Sequence, residues 1–111
     1  MERDQAAIFD FFRRPAQVVR LAPPSLSAVL EEGPELTSIG STWTVRLRRW
    51  GLVSRITTTV REMEEPHWQV EEQTRGPFRQ WRLERRLTSL GSGQTQIEET
   101  IDFLPPGGLL G

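Results

Sequence analysis

At 111 residues the chain has room for one domain and one core, a size that buries roughly two-thirds of its unfolded surface. Its 14 Lys and Arg against 15 Asp and Glu leave a net charge of -1, so no summed field draws in nucleic acid or an anionic membrane. With no cysteine and a single histidine, disulfides, thiolate chemistry, Cys-based metal clusters and multi-histidine sites are excluded, and neither a metal nor a cofactor is expected.

The start, Met1-Glu2-Arg3-Asp4, lacks a basic segment leading into an apolar run, and no apolar stretch nears the roughly 20 residues of a membrane span. A cytoplasmic protein without stable membrane insertion is the expectation. From Asp4 to Phe12, Ala7, Ile8, Phe11 and Phe12 recur at helical spacing behind Asp4 as N-cap, and Pro15 ends the helix. A second short helical turn is predicted for 16–21, with Val18, Val19 and Leu21 inward and Pro23-Pro24 as its stop. Ser27 to Leu30 reads as a short strand. After Gly40 the period changes to two, and five strands follow at 41–49, 53–63, 67–75, 79–88 and 95–103. Short connections join them, which makes an antiparallel meander the simplest topology. With no repeat and no linker, residues 1–111 are expected to form one domain.

Treating each connection as a hairpin fixes the register and so the faces. One face collects Trp43, Val45 and Leu47, then Ile56, Thr58 and Val60, then Trp68, Val70, Glu72 and Thr74. It continues with Trp81, Leu83, Arg85 and Leu87 and ends with Ile97, Glu99, Ile101 and Phe103. The other face, with Arg46, Arg48, Arg55, Arg61, Gln69, Glu71, Gln73, Arg82, Glu84 and Arg86, is expected to be solvated, its mixed charges discouraging edge-to-edge association. On the apolar face this register sets Arg85 opposite Glu99 and beside Trp68, and Glu72 opposite Thr58 and next to Trp81. Such residues form either a structural ion pair with a cation–π contact or the few polar groups that orient a ligand in an apolar cavity. The lone His67, beside Pro66, reads as a turn residue. Arg46-Leu47-Arg48-Arg49-Trp50, which resembles a single-strand nucleic-acid patch, reads first as a strand with one solvated face, and no nucleic-acid partner is expected.

Two short helices followed by a long meander, with Ala7-Ile8-Phe9-Asp10-Phe11-Phe12, Leu21-Ala22-Pro23-Pro24, Arg75-Gly76-Pro77-Phe78-Arg79-Gln80-Trp81-Arg82 and Ile101-Asp102-Phe103-Leu104-Pro105, resemble the START-like (SRPBCC, helix-grip) superfamily. The likeness is closest to its branch related to polyketide cyclase/dehydrase proteins. It implies an α+β fold in which a curved antiparallel sheet, here of about six strands, grips a long C-terminal helix over a hydrophobic cavity. Family members carry a strand before the first helix and a long helix after the final glycines. Their absence here implies a chain truncated at both ends, or a cavity closed by another molecule. Where the resembled branch tends to have histidines after the Gly-Pro-Phe turn, this chain has Leu83 and Arg85, which argues against histidine catalysis. The resulting expectation is a carrier of a small hydrophobic or amphipathic ligand, with no catalytic residue required. Trp43, Ile56, Thr58, Val60, Trp68, Glu72, Trp81, Leu83, Arg85, Glu99 and Ile101 line its site, and a homodimer is the alternative cover for the exposed sheet. The rival readings are a cyclase or dehydratase, with Glu99 or Glu72 as acid/base and Arg85 stabilising an enolate, and a protein-interaction module.

Overall fold

In the computed structural model, which describes residues 4–105, the chain opens with helix α1 (Gln5–Phe12). Asp4 caps it, its carboxylate accepting the Ala7 backbone N–H at 2.8 Å and so satisfying one of the donors that a helix start leaves unpaired. Pro15 begins α2 (Pro15–Val18), where its missing N–H costs nothing, and the chain tightens into a 3₁₀ turn at Val19–Leu21. The inward face of α1 differs from the expected one. Ile8 and Phe9 are buried and Phe12 packs beside them, whereas Ala7 is exposed and Leu21, expected inward, is also exposed.

Six strands follow: β1 (Ser27–Glu32), β2 (Thr42–Arg49), β3 (Leu52–Glu64), β4 (Trp68–Arg75), β5 (Gln80–Gly91) and β6 (Gln94–Leu104). They form one open antiparallel sheet in chain order, an α+β architecture of the expected strand count. The β2–β3 hairpin closes through Trp50 and Gly51, both at positive φ (53° and 80°), as a two-residue turn matching the strand twist requires. The expected glycine-rich tail at Gly107-Gly108 lies outside the described residues.

Helix α1 lies on one face of the sheet, here the inner face. Ile8 and Phe9 bury against Leu87, flanked by Phe12, Met63 and Ile97. Burying a phenylalanine in this way is worth about 1.5–3 kcal/mol. Polar clamps hold the helix in place. The Gln5 side-chain amide donates to the carbonyls of Pro66 (2.9 Å) and Leu87 (3.0 Å). Arg13 donates twice to the Thr37 carbonyl, at 2.9 and 2.7 Å, and pairs with Glu65. The helix end, the β1–β2 loop and the β3–β4 turn are thereby joined.

Strand β4 is turned over relative to the sequence reading. The β4–β5 pairing runs Trp68 to Arg86 and Glu72 to Arg82, which centres the connection on Pro77 rather than between Gly76 and Pro77. On the other side, irregularities in the β3–β4 pairing, one of them between Val60 and Glu62, shift β3 against β4. Because side chains alternate with period two, this single step exchanges the faces of the whole strand. Gln69, Glu71 and Gln73 are on the inner face, and Trp68, Val70 and Glu72 are on the outer one. There the Arg86 guanidinium lies 5.5 Å from the Trp68 ring, Glu72 pairs loosely with Arg61 (3.8 Å), and Glu84 pairs with Arg82 and Arg86. Val70 is buried among these long side chains. No helix among the described residues is long and apolar enough to cross a membrane.

Candidate functional site: an apolar groove beside a buried polar cluster

The helix covers only part of the inner face. Beside it β2, β3 and β5, with the β4–β5 turn, form a groove of about 210 Å³ lined by Trp43, Val45, Leu47, Ile56, Phe78 and Trp81, with Thr58 as its one polar member. Its construction follows from the register, which sets Trp43 opposite Thr58 and Val45 opposite Ile56. A dry cavity near this size accommodates a molecule such as benzene, so the groove suits a compact apolar group. Thr58 is buried and its hydroxyl has no hydrogen-bond partner among the described residues.

Trp43 connects this groove to a polar cluster deeper in the sheet. Its ring lines the groove while its Nε1 donates to Glu71 Oε1 at 2.7 Å. The Gln69 amide donates to the other carboxylate oxygen at 3.0 Å, and Arg85 Nη1 stands 3.8 Å from that oxygen. Arg85 faces Glu99 across the β5–β6 ladder and gives both Nε (3.0 Å) and Nη2 (2.7 Å) to Glu99 Oε2. Its guanidinium carbon also sits 4.1 Å over the Phe12 ring. Among the described residues, Arg85 Nη1 and Gln69 Oε1 are buried without a hydrogen bond.

The charges in this cluster are unequal in their surroundings. Glu99 is half exposed, whereas Glu71 and Arg85 are about 5% and 4% exposed. Burial pushes the Glu71 carboxyl above the ordinary carboxylate range, and the bonds from Trp43 and Gln69 and the charge of Arg85 only partly offset this. Arg85 is already engaged by Glu99 and keeps its distance, so desolvation prevails. The cluster therefore offers a carboxyl whose pKa is raised, a paired guanidinium whose Nη1 amino group is not hydrogen-bonded, and an amide oxygen free to accept, each counted among the described residues.

Of the residues expected at the site, Trp43, Ile56, Thr58 and Trp81 line the groove, and Val60 and Leu83 are buried on the same face. Arg85 and Glu99 form the anticipated pair, and Ile101, opposite Leu83, lies half exposed towards the β6 edge. Trp68 and Glu72 do not belong here, since the turned strand puts both on the outer face. In their place stand Gln69 and Glu71, which the sequence reading assigned to the solvated side. A signal for the error was present: 71–74 reads Glu-Glu-Gln-Thr, so half of β4 has no hydrophobic alternation to fix its register. Among the described residues no group of three metal-ligating acidic, histidine or cysteine side chains comes together.

No protein-family model matches the chain, and no curated protein does. Solved structures do. A structural-genomics protein from Chromobacterium violaceum superposes with a TM-score of 0.78 at 12% identity, over 95% of this chain and 75% of its own. A second such target, from Staphylococcus epidermidis, gives 0.69 at 8% identity, over 95% and 67%. At these identities the likeness is one of fold alone.

Proposed function

We propose that the chain is a START-like, helix-grip domain that binds a small hydrophobic or amphipathic molecule in the groove beside α1. The observation that carries this reading is the position of Trp43, whose ring lines an apolar groove while its N–H reaches the buried Glu71 carboxyl. Ligand sites combine these features: an apolar wall that supplies affinity and a few fixed polar groups that orient the occupant. The apolar part lies against Trp43, Ile56 and Trp81, and Thr58 meets an oxygen on the ligand. Native mass spectrometry of the purified protein and titration with an apolar fluorescent probe test the reading. Probe binding is expected to shift Trp emission, and Ile56→Ala or Trp81→Ala to weaken it at least severalfold, while Arg82→Ala on the outer face does not. Equal weakening by all three substitutions would remove the groove from consideration.

A second reading, a cyclase- or dehydratase-like enzyme, draws on the buried Glu71 carboxyl, whose pKa is raised by desolvation in the direction a general acid needs. Glu72, on the outer face, has no part in it. Turnover of an aromatic polyketide-like substrate that Glu71→Gln abolishes without loss of probe binding would favour this reading over simple carriage.

A further inference from the structure

The net charge of -1 conceals a strongly divided molecule. From Ser41 to Arg61 the chain has five arginines and no acidic residue, and from Gln73 to Leu83 three arginines and again none. The antiparallel meander places the β2–β3 tip and the β4–β5 turn at the same end of the sheet, and a shared depression brings Arg49, Trp50 and Leu52 beside Pro77 and Phe78. Arg48, Arg49, Arg75 and Arg79 therefore crowd one end of a molecule 49 Å long. Among the described residues they make no ion pair, unlike Arg46, Arg55, Arg61, Arg82, Arg85 and Arg86. Carboxylates Glu64, the last residue of β3, and Glu65, in the β3–β4 turn, lie at the opposite end.

The tip between these arginines is apolar and exposed: Trp50 is 83% and Leu52 72% accessible, with Val53 half exposed behind them. Trp50 is also in a place that folding does not favour. Its φ of 53° is a left-handed conformation, disfavoured for an aromatic residue, in a turn that prefers asparagine or glycine. Apart from the Arg49 guanidinium stacked on it, the Trp50 ring stands in solvent in a strained turn, and the core does not call for an indole there. We propose that this basic end, tipped by Trp50 and Leu52, docks on an anionic lipid surface. Indoles settle at the boundary between headgroups and acyl chains, aliphatic side chains enter beyond it, and arginines alongside meet phosphates. Single-stranded nucleic acid, the other anionic surface, fits less well. Arg49 already lies 4.2 Å over the Trp50 ring, occupying one stacking face, and Leu52 offers no ring to a base. The same end opens on the ligand groove, which shares Leu47, Ile56 and Phe78 with the depression, so a docked molecule presents its groove to the membrane. The docking surface itself does not depend on the groove being occupied.

The test is co-sedimentation of the whole protein with phosphatidylcholine vesicles, with and without phosphatidylglycerol, at several salt concentrations. Binding is expected only to the anionic vesicles, weakening as salt rises, with a blue shift of Trp emission. Replacing Arg48 or Arg49 by Gln is expected to lower partitioning about fivefold each. Trp50→Asn is expected to lower it more and to remove the blue shift while leaving or raising thermal stability, because Asn-Gly suits the turn. Arg86→Gln, on the outer face, is the control and should leave partitioning unchanged. Failure to bind anionic vesicles at low salt, binding that Arg86→Gln weakens as much as Arg49→Gln, or tighter binding of a single-stranded oligonucleotide would each overturn the proposal. Probe titration of Trp50→Asn reads the groove independently.

Discussion

Glu71 shows how one buried side chain ties stability to pH. Its pKa in the folded chain is raised by burial, so the native state holds a proton that the unfolded chain releases more readily. The stability linked to that proton is present in full below the ordinary carboxylate range and is lost as pH rises through the raised folded value. Denaturant midpoints are expected to fall across that window, and Glu71→Gln, which is neutral throughout, to flatten the fall. An unchanged pH slope in the variant would assign the titration to another group. The neighbouring orphan acceptor fits the same picture. Gln69 Oε1 has no hydrogen-bond partner among the described residues while its amide nitrogen serves the carboxylate, and rotation of that amide would let it accept from a protonated Glu71 instead. Arg85 is held from three directions, by Glu99, Glu71 and the Phe12 ring. Its removal takes away the Glu99 pairing, the Phe12 contact and the positive charge that offsets part of the cost of burying Glu71. Arg85→Ala is therefore expected to lower the denaturant midpoint far more than Arg82→Ala on the solvated face.

At the scale of elements, the sequence was most legible where a period or a stop residue acts locally. Asp4 and Pro15 frame the helices as anticipated, and the two-residue Trp50-Gly51 turn sets β2 against β3 in the expected register. The β5–β6 ladder also has Arg85 opposite Glu99, because the short Gly91-Ser92-Gly93 connection leaves little freedom. Legibility failed at β4, where an odd-length turn and a nearby irregularity in pairing, neither marked by a residue type, reverse the strand. Polar residues on both of its faces, Glu71-Glu72-Gln73-Thr74, left the register without a hydrophobic pattern to fix it. The helix face was misjudged for a related reason: Phe9 and Phe11 are equally apolar, and only the sheet beneath selects Phe9. Two consequences are measurable. Phe9→Ala is expected to cost about 3–5 kcal/mol and Phe11→Ala much less, as read by denaturant unfolding. Trp68→Phe is expected to leave the fluorescence response to a groove ligand intact, whereas Trp81→Phe diminishes it. A response that depended on Trp68 would restore the register inferred from sequence alone.

At the scale of the whole molecule, the fold leaves apolar surface and strand edges uncovered together. Among the described residues strand β6 pairs only with β5, and Ile101, Phe103 and Leu104 are each about half exposed along it. A long, exposed edge of this kind is a template for a second chain. Its own charges oppose that pairing. Two β6 strands joined antiparallel near Thr100 set Glu98 of each against Asp102 of the other, and like charges facing one another across strands are destabilising. The apolar gain and the repulsion respond differently to salt, since screening weakens only the second. Homodimerisation through this edge is therefore expected to be weak at low ionic strength and to strengthen as salt is added, the reverse of the trend expected for the basic end on anionic vesicles. Sedimentation equilibrium across a range of protein and salt concentrations reads it directly. Glu98→Gln with Asp102→Asn should make association less salt-dependent, and Thr100→Pro, which removes a donor from the free edge or from the β5 ladder, should abolish it. The second effect is interpreted only if circular dichroism shows the sheet intact; Phe103→Lys, which leaves the backbone untouched, gives the same reading without that condition. A protein that stays monomeric at every salt concentration would show that its acidic side chains are sufficient to guard the edge, and the exposed apolar residues would then belong to the groove and its ligand.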